Sequence, residues 1–123
     1  MEKILNFLGR LIYSLPFLGF GVGHLMNAGK MAGMVPAMFP GGVFWIYFTG
    51  VAMILAALAI ITGKQGRNAC FGIALMLLVF IVTIHLPGMS NPQTQMMSMT
   101  GLFKDMGLLG GALVIAGTFK SKA

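Results

Sequence analysis

The sequence predicts an all-α fold, an integral membrane four-helix bundle with both termini on the cytoplasmic side, and three observations carry that prediction. Apolar residues fill 58% of the 123 positions, while eight basic and two acidic residues carry all the formal charge. Four apolar runs are separated by polar or turn-forming segments, and each approaches the about 20 helical residues that cross a hydrocarbon core. The basic residues stand singly at the ends of those runs, as they do where membrane helices meet the cytoplasm. A soluble domain of this length would be about a quarter charged, because a small fold has much surface to hydrate.

The runs cover residues 4–26, 43–62, 69–86 and 102–119, and they form one domain over residues 1–123. None alternates polar with apolar positions, which removes a transmembrane barrel. The first run is read as a span rather than a cleaved signal, because Arg10 interrupts it and no small-residue cleavage pattern follows. Pro16 is expected to bend this helix by removing a backbone donor. Residues 63–68 leave room only for a tight turn between the second and third spans. The other two connections are longer. Residues 27–42 hold Pro36, Pro40 and a Met-rich stretch suited to the membrane surface, and residues 87–101 are polar.

Charge then sets the orientation. Lys3, Arg10, Lys64, Arg67, Lys120 and Lys122 fall on the side of the termini, against Lys30 and Lys104 on the other. The positive-inside rule places the termini in the cytoplasm. Scattered in this way, the basic excess forms no patch for nucleic acid. Cys70 is the one cysteine, too few for an internal disulfide.

Ionisable residues at membrane depth are costly and therefore informative. Beyond Lys104 and Asp105 only residues 106–119 remain apolar before the basic C-terminus, too short a run to cross alone. The pair is therefore expected inside the outer leaflet, with Asp105 turned toward the bundle. His24 ends the first span and His85 the third, so both approach the same level. A cation beside histidines at the end of an apolar cavity suits the oxygen of a quinone-like ring. Lysine would stabilise negative charge on that oxygen, and a histidine would exchange a proton near neutral pH. The candidate ligand-binding set is His24, His85, Lys104 and Asp105. Anion binding and plain interfacial roles remain open for the same residues.

Most of the twelve methionines lie on the outward side, among them Met34, Met38, Met89, Met96, Met97 and Met99. Their thioethers would suit Cu(I) together with His24 and His85, although adaptable packing explains them equally. Gly19 with Gly23, and Gly107 with Gly111, are spaced to let helices approach within the bundle or in a homodimer. Phe44, Trp45 and Tyr47 open the second span at headgroup level. No phosphate loop, HExxH or CxxC is present, and no catalytic residue is assigned.

The chain resembles the DoxX family of small bacterial membrane proteins. The resemblance rests on Gly9-Arg10-Leu11, Pro16-Phe17-Leu18 and Gly23-His24-Leu25 in the first span, and on His85-Leu86-Pro87 ending the third. The fourth contributes Lys104-Asp105-Met106-Gly107-Leu108-Leu109-Gly110-Gly111-Ala112-Leu113. Family sequences often have Lys at the position of His24 and Asn at that of Asp105. The resemblance implies a four-helix fold in the bacterial plasma (inner) membrane and a link to redox metabolism, as a subunit beside a redox partner protein in quinone or oxidative-stress systems. The expectation is a quinone-binding membrane subunit; a non-catalytic scaffold and a copper-handling protein are the alternatives.

Overall fold

A computed structural model of the chain describes residues 1–31 and 42–119. Four long helices dominate: α1 (Glu2–Met26), α2 (Gly42–Thr62), α3 (Gly66–Gly88) and α4 (Gln95–Thr118). Each is long and apolar enough to cross a membrane, as in a multi-pass membrane protein, and no strand occurs among the described residues. A single helical turn, Ala28–Met31, follows α1. The Met-rich stretch with Met34, Pro36, Met38 and Pro40, and the C-terminal Lys120 and Lys122, lie outside the described residues.

Packing joins α1 most closely to α2 and α3 to α4, with thinner contact between the two pairs. The core lies toward the side of the termini and at mid-span, where Phe17, Met53, Ile60, Cys70, Leu77 and Ala112 are buried. The outward faces carry Leu, Ile, Val and Phe side chains at 39–72% exposure, a surface for lipid rather than water. With lipid outside, helix association draws on close packing and hydrogen bonds rather than on the hydrophobic effect.

The α1–α2 crossing is made by glycines other than those the four-residue spacing suggests. A Cβ on Gly21 would lie 2.7 Å from the Gly50 carbonyl oxygen, and one on Gly50 would lie 2.9 Å from His24 Cβ. Gly19, Gly23 and Gly107 have no neighbour within 4 Å of a built Cβ, while Gly111 meets the Tyr13 ring. The packing role expected of the Gly19–Gly23 stripe therefore belongs to Gly21 and Gly50. Tyr13 also spans from α1 to α4, donating its hydroxyl to the Leu108 carbonyl.

On the side of the termini, arginines close the helix ends. Arg10 Nη1 donates to the Ile60 carbonyl in the last turn of α2 (3.2 Å), and Arg67 Nη1 donates to the Phe119 carbonyl just past α4 (3.3 Å). Carbonyls at helix C-termini have no intrahelical partner, and a cation there also meets the negative end of the helix dipole. Arg10 is not simply extended toward headgroups; its guanidinium lies over the rings of Phe7 and Phe119, at 5.9 and 5.3 Å from their centroids. The turn is tighter than residues 63–68, because α3 begins at Gly66. It needs positive φ at Gly63 (81°) and at Gln65 (57°).

Two helix ends extend beyond the sequence expectation. The third helix reaches Gly88, and α4 starts at Gln95 rather than near residue 102. Residues 95–101, where Gln95, Ser98 and Thr100 are interspersed with methionines, are helical and held to α3 where Thr94 Oγ1 donates to the Gly88 carbonyl (2.6 Å). The first helix runs unbroken through Pro16.

The Gly21–Gly50 contact makes a direct prediction. Gly21→Ala should lower thermal stability in detergent by about 1–3 kcal/mol, the usual cost of forcing atoms into a packed site. Gly19→Ala and Gly23→Ala should stay within about 0.5 kcal/mol of the parent. Equal effects at all three positions would move the crossing elsewhere.

Candidate functional site

The site grows out of an irregularity in α3. Pro87 has no N–H to give to the carbonyl one turn back, so one rung of the helical ladder is missing there. Ahead of it the backbone widens into a π-helical turn over Ile81–His85, in which the Leu86 N–H reaches the Ile81 carbonyl five residues back. Such turns add a residue to the helix and change where the following side chains point, and they recur at functional positions. Here the turn precedes contact between His85 and α4. The ring lies against Gly101, where a Cβ would come within 2.5 Å of His85 Cε1.

One helical turn beyond Gly101 is Asp105. Ser98, Asp105, Ala112 and Ala116 are the buried positions of α4. Ser98, Asp105 and Ala112 follow a seven-residue spacing, which keeps them on one side of a helix. Asp105 sits about 15 Å along the helix from Gln95 at 1.5 Å per residue. At 3% exposure it is a carboxylate within a membrane-length helix. Its Oδ2 accepts from His85 Nε2 at 2.7 Å, and its Oδ1 stands 3.6 Å from Lys104 Nζ.

The other two residues complete the constellation through Phe20. Lys104 is half exposed, with Nζ 5.0 Å from the centre of the Phe20 ring. A cation over an aromatic face gains from the ring quadrupole, more so away from water. The backbone carbonyl of the same Phe20 lies 2.6 Å from His24 Nδ1. With Nδ1 donating there, the neutral His24 ring keeps Nε2 as an acceptor. All four candidates line one cavity of about 840 Å³.

This cavity runs between α2 and α3. Phe17, Met53 and Leu77 form its buried floor, and exposed Leu55 and Leu75 also line it. Thr49, Thr83 and the Trp45 indole join the four ionisable residues in its polar lining, and the other polar side chains are Gln65 and Asn68 at the opposite end. The remainder is hydrocarbon, thioether or ring. A mostly apolar pocket in this size range with a few converging polar groups is the usual form of a small-molecule site.

Residues 14–99, more than two thirds of the chain, match DUF8561, a domain of unknown function. The chain belongs to the DUF8561 family. The matched stretch includes His24 and His85 and stops before Lys104 and Asp105. No curated protein and no solved structure matches the chain.

Within this DUF8561 chain the structure sets the four residues singled out from sequence around one cavity, joins His85, Asp105 and Lys104 directly, and changes the expected pairing. Adjacency in sequence suggests Lys104 as the partner of Asp105; the shorter contact is to His85 on another helix. His85 and Asp105 satisfy each other, while Lys104 and His24 retain capacity for a further partner. Phe20 and Gly101 were not among the sequence candidates, since an aromatic and a glycine in an apolar run carry no signal of their own. The candidate copper ligands are dispersed in character: Met96 and Met97 are about three quarters exposed, and both histidines already bond oxygen. Among the described residues no group of three or more His, Cys, Asp and Glu is placed to hold a metal ion.

The His85–Asp105 contact is testable by a double-mutant cycle. Asp105→Ala and His85→Ala should each destabilise the detergent-solubilised protein, with the pair coupled by about 0.5–3 kcal/mol, as for groups in direct contact. His85→Ala should be the costlier of the two, because it leaves a buried carboxylate with only Lys104 near it. Strict additivity in thermal unfolding would show that the two side chains do not meet.

Proposed function

We propose that the chain is a bacterial plasma-membrane protein that binds a quinone or a similar lipophilic redox molecule, as a DoxX-like subunit of a redox or oxidative-stress assembly. The observation that carries this reading is an apolar groove at membrane depth that ends on a cation, a carboxylate and two histidines. In this reading the ligand ring lies at that end. Lys104 Nζ donates to a ring oxygen, and His24 Nε2 meets a hydroxyl of the reduced form. His85 acts through Asp105: by occupying one carboxylate oxygen, it limits how much of the Lys104 charge the acid neutralises. A charge-assisted hydrogen bond is the strongest polar contact such a site offers.

The DoxX-like pattern at Gly23-His24-Leu25, His85-Leu86-Pro87 and the Lys104 segment supports the same reading. Electron transfer then belongs to a redox partner protein that carries its own cofactor, with this chain presenting the membrane-soluble molecule. The distribution of Lys3, Arg10, Lys64 and Arg67 supports cytoplasmic termini. A reporter fused after Ala123 should be active in the cytoplasm of bacterial cells, and activity only outside would reverse the orientation.

Titration of the purified protein with a short-chain quinone tests the binding reading. Wild type should saturate, Lys104→Ala should bind at least about tenfold more weakly, equivalent to about 1.4 kcal/mol, and Lys104→Arg should recover part of the loss. His85→Ala should also weaken binding, since Asp105 then turns wholly to Lys104. Without saturable binding, or with unchanged affinity in both alanine variants, the cluster is structural and a scaffold for a partner protein becomes the better reading.

A further inference from the structure

We infer that the ligand carries a single long hydrocarbon chain, of isoprenoid or acyl type, which lies along the α2–α3 groove while its oxygen-bearing head meets Lys104 and His24. This rests on the binding reading above and specifies the class of ligand.

Length is the first reason. The groove is lined along α2 from Trp45 to Ala59 and along α3 from Asn68 to His85. At 1.5 Å per residue these stretches rise about 21 and about 25 Å, most of a hydrocarbon core about 30 Å thick. A bare ring would use only the end near Lys104.

The walls give the second reason. Ala52, Ala56 and Ala59 line the groove from α2, and Ala69 and Gly72 from α3. Small residues on neighbouring membrane helices ordinarily let the backbones close on each other. Here they line the groove, with Ala56 and Ala69 also packed against the buried core, and a Cβ built on Gly72 finds no atom within 4 Å. The result is a slot bordered by small side chains over a buried floor of Phe17, Met53 and Leu77, with room for a slim chain.

The two ends supply the third. One carries charge in Lys104 and Asp105, and the other only Gln65 and Asn68, whose amides bond each other at 2.8 Å. Between the threonines and those amides every lining side chain is apolar. This asymmetry matches an amphiphile with one polar head.

A tail moving from lipid into such a groove gains no hydrophobic transfer energy, because hydrocarbon surrounds it in both places. Preference must come from fit, which makes it sensitive to blocking. The experiment measures binding of two quinones with the same head, one short-chained and one with a long isoprenoid tail. The proteins are wild type, Gly72→Leu, and Gly107→Leu, whose glycine is equally open but lies outside the groove. Comparing proteins for one ligand cancels its partition into detergent.

The expected result is that Gly72→Leu weakens the long-tailed quinone about three- to tenfold, leaves the short one within about twofold, and that Gly107→Leu changes neither. If the short quinone binds but Gly72→Leu leaves the long one unaffected, the tail lies elsewhere and the inference is overturned while the binding reading stands. If neither quinone binds saturably, both fall. If phosphatidylglycerol at equal concentration displaces the long-tailed quinone from wild type, the groove is an ordinary site for bilayer lipid and the inference is again overturned.

Discussion

A carboxylate well inside a membrane-length helix must be paired, and the structure around Asp105 follows from that constraint. Leaving such a group uncompensated in a low-dielectric interior is far more costly than most packing errors. Its partner comes from another helix, so α3 must deliver His85 to α4 at hydrogen-bonding distance. The π-helical turn over Ile81–His85, the missing side chain at Gly101 and the Thr94–Gly88 bond all serve that delivery. The contact between α3 and α4 is thus specified by polar chemistry at the loop side, as it is by apolar packing at Cys70, Leu77 and Ala112 lower down.

The other helix pair is specified differently. Between α1 and α2 the glycines Gly21 and Gly50 allow the backbones to touch, and Arg10 adds a bond to the Ile60 carbonyl at the end near the termini. Two pairs built on different principles, joined mainly by a buried core near the short turn, leave the groove between α2 and α3 as the seam. Arg10 and Arg67 hold the opposite end shut by capping α2 and α4. The arginines that sequence reasoning assigns only to orientation therefore also satisfy helix ends, and a cationic side chain at the interface can do both because its long stem reaches inward while the head stays polar.

Much of this was legible in the residues. Four spans follow from run length, and the shortness of residues 106–119 is enough by itself to put Asp105 inside a span. The approach of His24, His85, Lys104 and Asp105 to one cavity was readable because few ionisable residues occur at that depth. Pairing was not, since adjacency favours Lys104 and only helix rotation brings His85 to Asp105. Nor was the choice of packing glycines, because i,i+4 spacing says which residues share a face and not which face meets a neighbour. The early start of α4 was hidden by composition: Gln95, Ser98 and Thr100 read as loop, although Ser98 is buried against α3, where a side chain on Gly88 would meet its hydroxyl. The groove has no one-dimensional signature at all.

The side on which the groove opens sets the reservoir with which it exchanges. Exposed Leu55 and Leu75 line it, on faces that carry apolar rather than hydrated surface. In the proposed reading a molecule reaching it diffuses in two dimensions, and its tail never sheds a shell of water. Its occupancy then follows mole fraction in the bilayer rather than molar concentration in either aqueous compartment. Adding lipid to a membrane that holds a fixed number of solute molecules would empty the site, even if nothing in the water on either side changed.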